Sequence, residues 1–588
     1  MMRLRNVILF GLGLMFAGCA GGEPARDATV AVHDKSGLGA SPFGAYLAAR
    51  HAQVTRDSGR AADLYARALA FAPENAELLR RTFSIMAMEG RISEAAMLAE
   101  RMRAQGLNVQ MASLVMAVQA AKTGQFARVD AELSELPDSG FNNFIAPLLQ
   151  AWSRAARSDR AGALKALATM EETRGFESFA NLHAGLILDL LDDKVAADQR
   201  YTKSIQTGGS GFVRAVQAAA SFYARNGQIP RARELLAAFD IDHPESGLGR
   251  LALAQLGSGK PPERLVKTPQ EGMAEALFDL GSLLHQQNLD EIGLVLGRLA
   301  LYLQPDLEIA DLLIAEILES NGQGERAVAI YEGFAPNSTY AWSSRLRAAT
   351  VLDDLGRTDD AVARLSQMGE EQPRRIDALV SMGDILRGRE RFAEAVVAYD
   401  KALARVPKLD RRHWAVLYAR GIALERTKNW ERAEADFLKA LEFNPNQPYV
   451  LNYLGYSWVE RGLHLDKALP LIEKAVKLRP EDGYIVDSMG WVLYMLGQYE
   501  GAVTHLERAV ELRPQDPVIN DHLGDAYWRV GRVMEARFQW RRALSLKPEG
   551  DLLRTIESKL ARGGLDDPPA DNARRTTAAP TVVGGQGI

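Results

Sequence analysis

The chain has 588 residues, 47% hydrophobic and 25% charged, with a formal net charge of −5 at pH 7. That composition is a folded protein's, but the length exceeds what one compact core organises, so several domains or a stacked repeat array is implied. The slight acidity excludes a global basic field for nucleic acid or anionic lipid, and the single cysteine excludes an intramolecular disulfide and a multi-cysteine metal cage.

At the N-terminus, residues 1–6 carry Arg3 and Arg5 and no acid, residues 7–16 are uncharged and mostly apolar, and Ala17, Gly18, Ala20, Gly21 and Gly22 are small. Basic, apolar and small-residue zones in that order describe an export signal peptide over 1–18. As a helix the apolar run covers about 15 Å, half the hydrocarbon core, so it does not span a membrane, and no later stretch is long and apolar enough to do so. Phe16, Ala17, Gly18 and Cys19 resemble the bacterial lipobox, with Phe16 where Leu is commoner. The resemblance implies cleavage before Cys19 and acylation of that residue. With Ala20 next rather than Asp, it implies sorting to the outer membrane, the chain facing the periplasm. Residues 19–41, rich in Gly, Ala, Asp and Pro, then form the lipidated N-terminus and a flexible tether.

Beyond residue 41 the chain is organised by a repeat. Gly490 lies in one helical pattern, Gly497 marks a turn, and Ala502, Leu506 and Ala509 at i, i+4, i+7 mark a second helix that Pro514 stops. The next 34 residues repeat the scheme with Gly524, Tyr527, Gly531, Ala536, Trp540, Ala543 and Pro548. The frame starts at 42, 76, 110, 144, 178, 213, 274, 308, 342, 376, 414, 448, 483 and 517. Counting from each start, position 8 is Gly or Ala in every repeat except at Phe83, and the small position opening the second helix is Ala or Gly except at Val129. This pattern resembles the tetratricopeptide repeat and implies an all-α solenoid of about fourteen helical hairpins wound as a right-handed superhelix. Small residues let two backbones approach while positions 4, 7 and 11 of the first helix, such as Leu379, Met382 and Leu386, fill beside them. The expected order is a degenerate block over 42–246, a Gly- and Pro-bearing break over 247–273, a second block over 274–550, a capping helix over 551–562 and a disordered tail over 563–588.

Motifs for catalysis are wanting. The nine histidines show no HExxH pattern; His505 and His522 fall in adjacent repeats and read as packed or solvated residues. Gly259 and Lys260 lack the companions of a phosphate loop, because Ala254 and Pro261 stand where Gly and Ser or Thr are required. No Gly-x-Ser-x-Gly elbow occurs. No cofactor, metal or catalytic residue is expected, and the chain reads as a binding protein rather than an enzyme.

By the tetratricopeptide resemblance, first helices line the concave face, where positions 2, 5, 9 and 12 form a stripe turned away from the packing stripe. In the last four repeats this stripe includes Tyr418; Tyr449, Asn452 and Tyr456; Tyr484, Asp487, Trp491 and Tyr494; Asp521, Asp525 and Trp528. Six of the eight tryptophans lie at or beyond 414, and Tyr and Trp outside the packing stripe are residues that anchor interfaces. These eleven residues are the candidate partner groove. Asn452, Tyr453, Leu454, Gly455 and Tyr456, with the run from Asp487 to Tyr494, resemble the repeats of Gram-negative outer-membrane tetratricopeptide lipoproteins. One of these is the adaptor of a periplasmic carboxyl-terminal processing protease that degrades cell-wall hydrolases. The resemblance implies protein partners of that kind; the alternative is a scaffold for outer-membrane protein assembly or polysaccharide export.

Overall fold

A computed structural model of the chain describes residues 41–565 apart from 108, 138, 209–212, 244–247 and 258–261. The expected signal peptide, Cys19, the expected tether up to residue 40 and the expected tail from 566 onward lie outside the described residues. Among those described, all regular structure is helical, and no helix is long and apolar enough to cross a membrane.

Chain contacts divide the protein into two units, one running to Gly209 and including Arg264–Pro305, the other Ser210–Glu263 with Asp306 onward. The first unit begins with five hairpins: α1 (Pro42–Val54) and α2 (Ser58–Phe71); α3 (Ala76–Met88) and α4 (Ile92–Ala104); α5 (Gln110–Lys122) and α6 (Phe126–Ser134); α7 (Asn142–Ala156) and α8 (Arg160–Glu171); α9 (Glu177–Leu190) and α10 (Lys194–Gly208). The second unit takes α11 (Val213–Arg225), α12 (Ile229–Asp242) and α13 (Leu248–Gly257). The chain then returns to the first unit with α14 (Pro269–Gln286) and α15 (Asp290–Leu303).

The rest of the second unit is seven hairpins and a last helix. They are α16 (Glu308–Ser320) and α17 (Gly324–Glu332); α18 (Ala341–Asp354) and α19 (Thr358–Glu371); α20 (Asp377–Gly388) and α21 (Phe392–Ala404); α22 (Trp414–Arg426) and α23 (Trp430–Phe443); α24 (Pro448–Glu460) and α25 (Leu465–Leu478); α26 (Gly483–Met495) and α27 (Tyr499–Leu512); α28 (Pro517–Arg529) and α29 (Val533–Ser545); then α30 (Gly550–Arg562). The fourteen expected hairpins are all present, most starting within two residues of the repeat frame.

Local chemistry explains the regularity. Asp482 and Asp516 cap α26 and α28, each side chain accepting hydrogen bonds from the first-turn backbone N–H groups. Pro448 and Pro517 sit at the first helical position, where no N–H is needed. The turns inside the last two hairpins use Gly497 and Gly531 at φ of 75° and 81°, which a side chain disfavours. Where position 8 is Gly185, Gly383, Gly421, Gly455, Gly490 or Gly524, it faces a large residue of the second helix. A Cβ added at Gly524 would lie 2.5 Å from the fully buried Trp540 ring, and one at Gly490 would lie 2.5 Å from Leu506. The exceptions Phe83 and Val129 are themselves buried.

The structure departs from the expected blocks at 247–273. That stretch holds a helix, α13, and the Gly- and Pro-bearing residues that suggested a break begin where α13 ends. The hairpin expected to open the second block starts at Pro269 rather than 274, because the Thr268 side chain caps an additional first turn. It packs within the first unit. Turn residues report where a helix stops, but not which neighbouring array the next hairpin joins.

The close approach at position 8 generates a test. Gly524→Val forces atoms against Trp540 and is expected to cost about 1–3 kcal/mol. It should lower the urea midpoint of the second unit, followed by tryptophan emission, whereas Gly497→Asn, at a turn with open space around it, should cost much less.

Candidate partner-binding groove

The candidate residues lie on α22, α24, α26 and α28, all in the second unit. Their first structural role is to join neighbouring repeats. Position 5 of one repeat meets position 6 of the next throughout. The Tyr418 ring stands 6.2 Å from Tyr453, edge to face. Asn452 Nδ2 donates to Ser488 Oγ at 3.2 Å. Asp487 takes His522 Nδ1 at 3.0 and 3.1 Å through its two oxygens. Position 12 does the same: the Arg529 guanidinium donates to the Tyr494 hydroxyl at 3.4 Å and lies over the Tyr494 and Tyr499 rings.

What the ladder leaves open differs along the array. Tyr418 is half-buried against Phe437 and Tyr453, and burial pushes its phenol up to about 12. Tyr449 donates to the N-cap residue Asp482, and burial pushes the Tyr456 phenol up. Asn452 keeps a buried Oδ1 with no hydrogen-bond partner among the described residues, an acceptor without an N–H. Tyr484 is the most open of the set at 52% exposure. Trp491 stacks on Tyr494 at 4.8 Å and on His522 at 4.0 Å, forming a half-exposed aromatic shelf. Tyr449, Asn452, Tyr456, Tyr484, Trp491 and Tyr494 therefore form one face across α24 and α26.

The last repeat is different. Asp521, Asp525 and Trp528 are buried because α30 lies against them. The Lys559 ammonium donates to Asp521 at 2.8 and 2.9 Å and to Asp525 at 2.8 Å, and Gly564 packs on the Trp528 ring. Burial pushes the Asp525 carboxyl up to about 6 against the opposing pull of Lys559. Burial pulls Lys559 down, but the two carboxylates outweigh it and its net shift is upward. These three positions of the expected groove are occupied by the protein's own C-terminal helix. A lysine near the end of an amphipathic helix, opposite two aspartates on the last repeat, is the signal that would have revealed it.

His522, Ser488, Tyr453 and Arg529 are the contributors that the stripe of positions 2, 5, 9 and 12 omits. All lie at positions 6 or 13, one residue round the helix. Among the described residues no group of three or more His, Cys, Asp and Glu side chains is arranged to hold a metal ion.

The Asp487–His522 rung has a definite pH signature. Burial pulls the imidazole down, but Asp487 outweighs it and the net shift is upward. The rung's contribution to stability is then complete below the unfolded histidine value, near 6.5, and is lost as pH rises through the higher folded value. The denaturation midpoint of the second unit should fall as pH rises from about 6 through the raised folded value, and His522→Gln should remove that part of the fall. An unchanged pH profile in the variant would exclude the rung as its source.

Residues 346–409 and 380–448 match the tetratricopeptide repeat family, and residues 490–531 match the TPR repeat family. The TPR repeat-containing protein PA4667 of Pseudomonas aeruginosa is 29% identical over 201 residues, covering 34% of this chain and 33% of that protein. The BBSome complex member BBS4 of Bos taurus is 24% identical over 207 residues, 35% of each chain. The matched region thus spans about a third of the length of these curated relatives. Among solved structures, similarity extends to the APC/C hetero-tetramer Cut9-Hcn1, at TM-score 0.37 and 16% identity over 83% of this chain and 96% of that one. It also extends to YrrB, a TPR protein with an unusual peptide-binding site, at TM-score 0.27 and 20% identity over 33% of this chain and 97% of that one. With the hairpins seen directly, the family matches make this an all-α protein built of tetratricopeptide hairpins.

Proposed function

We propose that the protein is a lipid-anchored adaptor facing the periplasm, which holds protein partners on the aromatic face of α24 and α26 and performs no chemistry of its own. The observation that carries the reading is that face itself. Tyr484 is exposed beside the Trp491–Tyr494–His522 stack, and inter-repeat hydrogen bonds hold the surface rigid. Rigid aromatic side chains lose little entropy when a partner covers them, so they anchor interfaces efficiently. The anchor rests on Cys19, the chain's one cysteine, placed directly after an apolar run and small residues. Several acyl chains at about 0.8 kcal/mol per buried CH₂ would hold it firmly in a bilayer. The likeness of residues 452–456 and 487–494 to outer-membrane lipoprotein repeats supports a periplasmic carboxyl-terminal processing protease, with cell-wall hydrolases as its substrates, as the partner set.

Affinity purification of the full-length acylated protein from envelopes is expected to recover such a protease with its substrates. Tyr484→Ala should reduce recovery about tenfold or more, the effect of one interface anchor. Recovery of only barrel-assembly or polysaccharide-export components would replace this partner assignment. Separately, Cys19→Ser should abolish palmitate labelling and release the protein from membranes; continued membrane retention would refute the lipid anchor.

A further inference from the structure

The first unit carries its own groove, lined by the first helices α3, α5, α7 and α9, and that groove is not empty. Helices α14 and α15 lie along it, α15 against α3, α4 and α5, and α14 against α7 and α9. At one end Arg298 Nε donates to the Met88 carbonyl at 3.3 Å, and the Tyr302 hydroxyl donates to Gln119 Oε1. Lys122 Nζ donates to the Leu303 carbonyl at 3.1 Å. At the other end Gly272 fits flat on the indole of Trp152, where an added Cβ would come within 2.4 Å.

A buried polar relay fixes the register. Trp152 Nε1 lies 3.1 Å from His183 Nδ1, and His183 Nε2 lies 3.1 Å from Asp279 Oδ2. An indole only donates, so Nδ1 accepts and the ring proton sits on Nε2, aimed at Asp279. Trp152, His183 and Asp279 are almost fully buried. A histidine sunk in a groove, oriented by one helix to receive a carboxylate from the incoming hairpin, is a recognition element: it selects register more than it adds stability.

We propose that the concave groove of residues 76–190 is a binding site for an amphipathic helical hairpin bearing an acidic residue, kept closed in cis by α14 and α15, and that release of this plug opens a second partner surface. The hairpin suits the part. Leu277, Leu280, Leu284, Leu296, Leu299 and Leu303 give its two helices buried apolar residues of their own. Its chain enters from the other unit and returns to it, so the plug is an excursion and not a continuation of the repeat stack. The inference stands without the lipid anchor or the assigned protease.

Hydrogen exchange on the full-length protein tests the proposal. In the wild type, amides of 269–303 should exchange through an opening that leaves α3, α5, α7 and α9 protected. Asp279→Ala should speed exchange of the hairpin about tenfold or more while the array helices change little. Tyr302→Phe, which removes only the edge contacts to Gln119 and Ser93, is the milder companion should Asp279→Ala unfold the unit, and it should act in the same direction. A labelled synthetic peptide spanning 264–305 should bind the loosened variant and not the wild type. Loss of protection in hairpin and array together, in both variants, would make α14 and α15 ordinary core. A loosened variant that fails to bind the peptide would equally overturn the proposal.

Discussion

Everything in this protein depends on how closely the two helices of a hairpin can approach. At Gly524 the facing Trp540 leaves no room for a single carbon, and Gly490 stands in the same relation to Leu506. Close-packed interiors tolerate neither overlap nor void, so a small residue on one helix and a large one on the other determine the crossing together. Once that crossing recurs, the first helices of successive repeats stand side by side. Position 5 of one then reaches position 6 of the next. The ladder from Tyr418–Tyr453 through Asn452–Ser488 and Asp487–His522 arises from the spacing set inside each hairpin.

A face built this way attracts helices, and the protein fills part of it with its own. In the second unit α30 places Lys559 between Asp521 and Asp525; in the first, α14 places Asp279 on His183. In each case one ionisable side chain from the arriving helix meets a buried polar partner at positions 5, 6 or 9 of a first helix. Tetratricopeptide first helices are thus read by this chain itself, through chemistry that a foreign helix could also present. The two fillings differ in consequence. α30 covers the end of an array, which any stacked repeat requires for solubility. α14 and α15 lie along the first helices of four successive hairpins, from α3 to α9, a lengthwise filling that capping an end does not require.

The hairpins were legible in the sequence because each needs only local information: Gly or Ala at position 8, a facing aromatic or leucine, an Asp or Pro at the first turn. Thirteen of the fourteen observed first helices begin within two residues of the expected start; the exception, α14, gains a turn from the Thr268 cap and Pro269. Long-range placement was not legible. Nothing near residues 269–303 distinguishes a hairpin that stacks on its successor from one that lies in an earlier groove. Gly272 has meaning only opposite Trp152, and Asp279 only opposite His183. The candidate groove divided for the same reason. Helical angle identifies a face but not its occupant, so Asp521, Asp525 and Trp528 lie on the expected stripe although α30 covers them.

That division sharpens where a partner can be held. If each concave position is worth most when a side chain from outside completes it, then positions the chain has already completed are poor docking sites. Those with open rings or unmet acceptors are good ones. In the second unit this criterion removes the last repeat, demotes Tyr418 against Phe437 and Tyr453, and retains α24 and α26. Tyr484 is exposed there, Trp491 is stacked but half open, and Asn452 Oδ1 lacks a donor. An incoming segment that lays apolar surface on Tyr484 and on the open side of Trp491 would gain most, because the ladder beneath has already met the entropy cost of ordering these side chains.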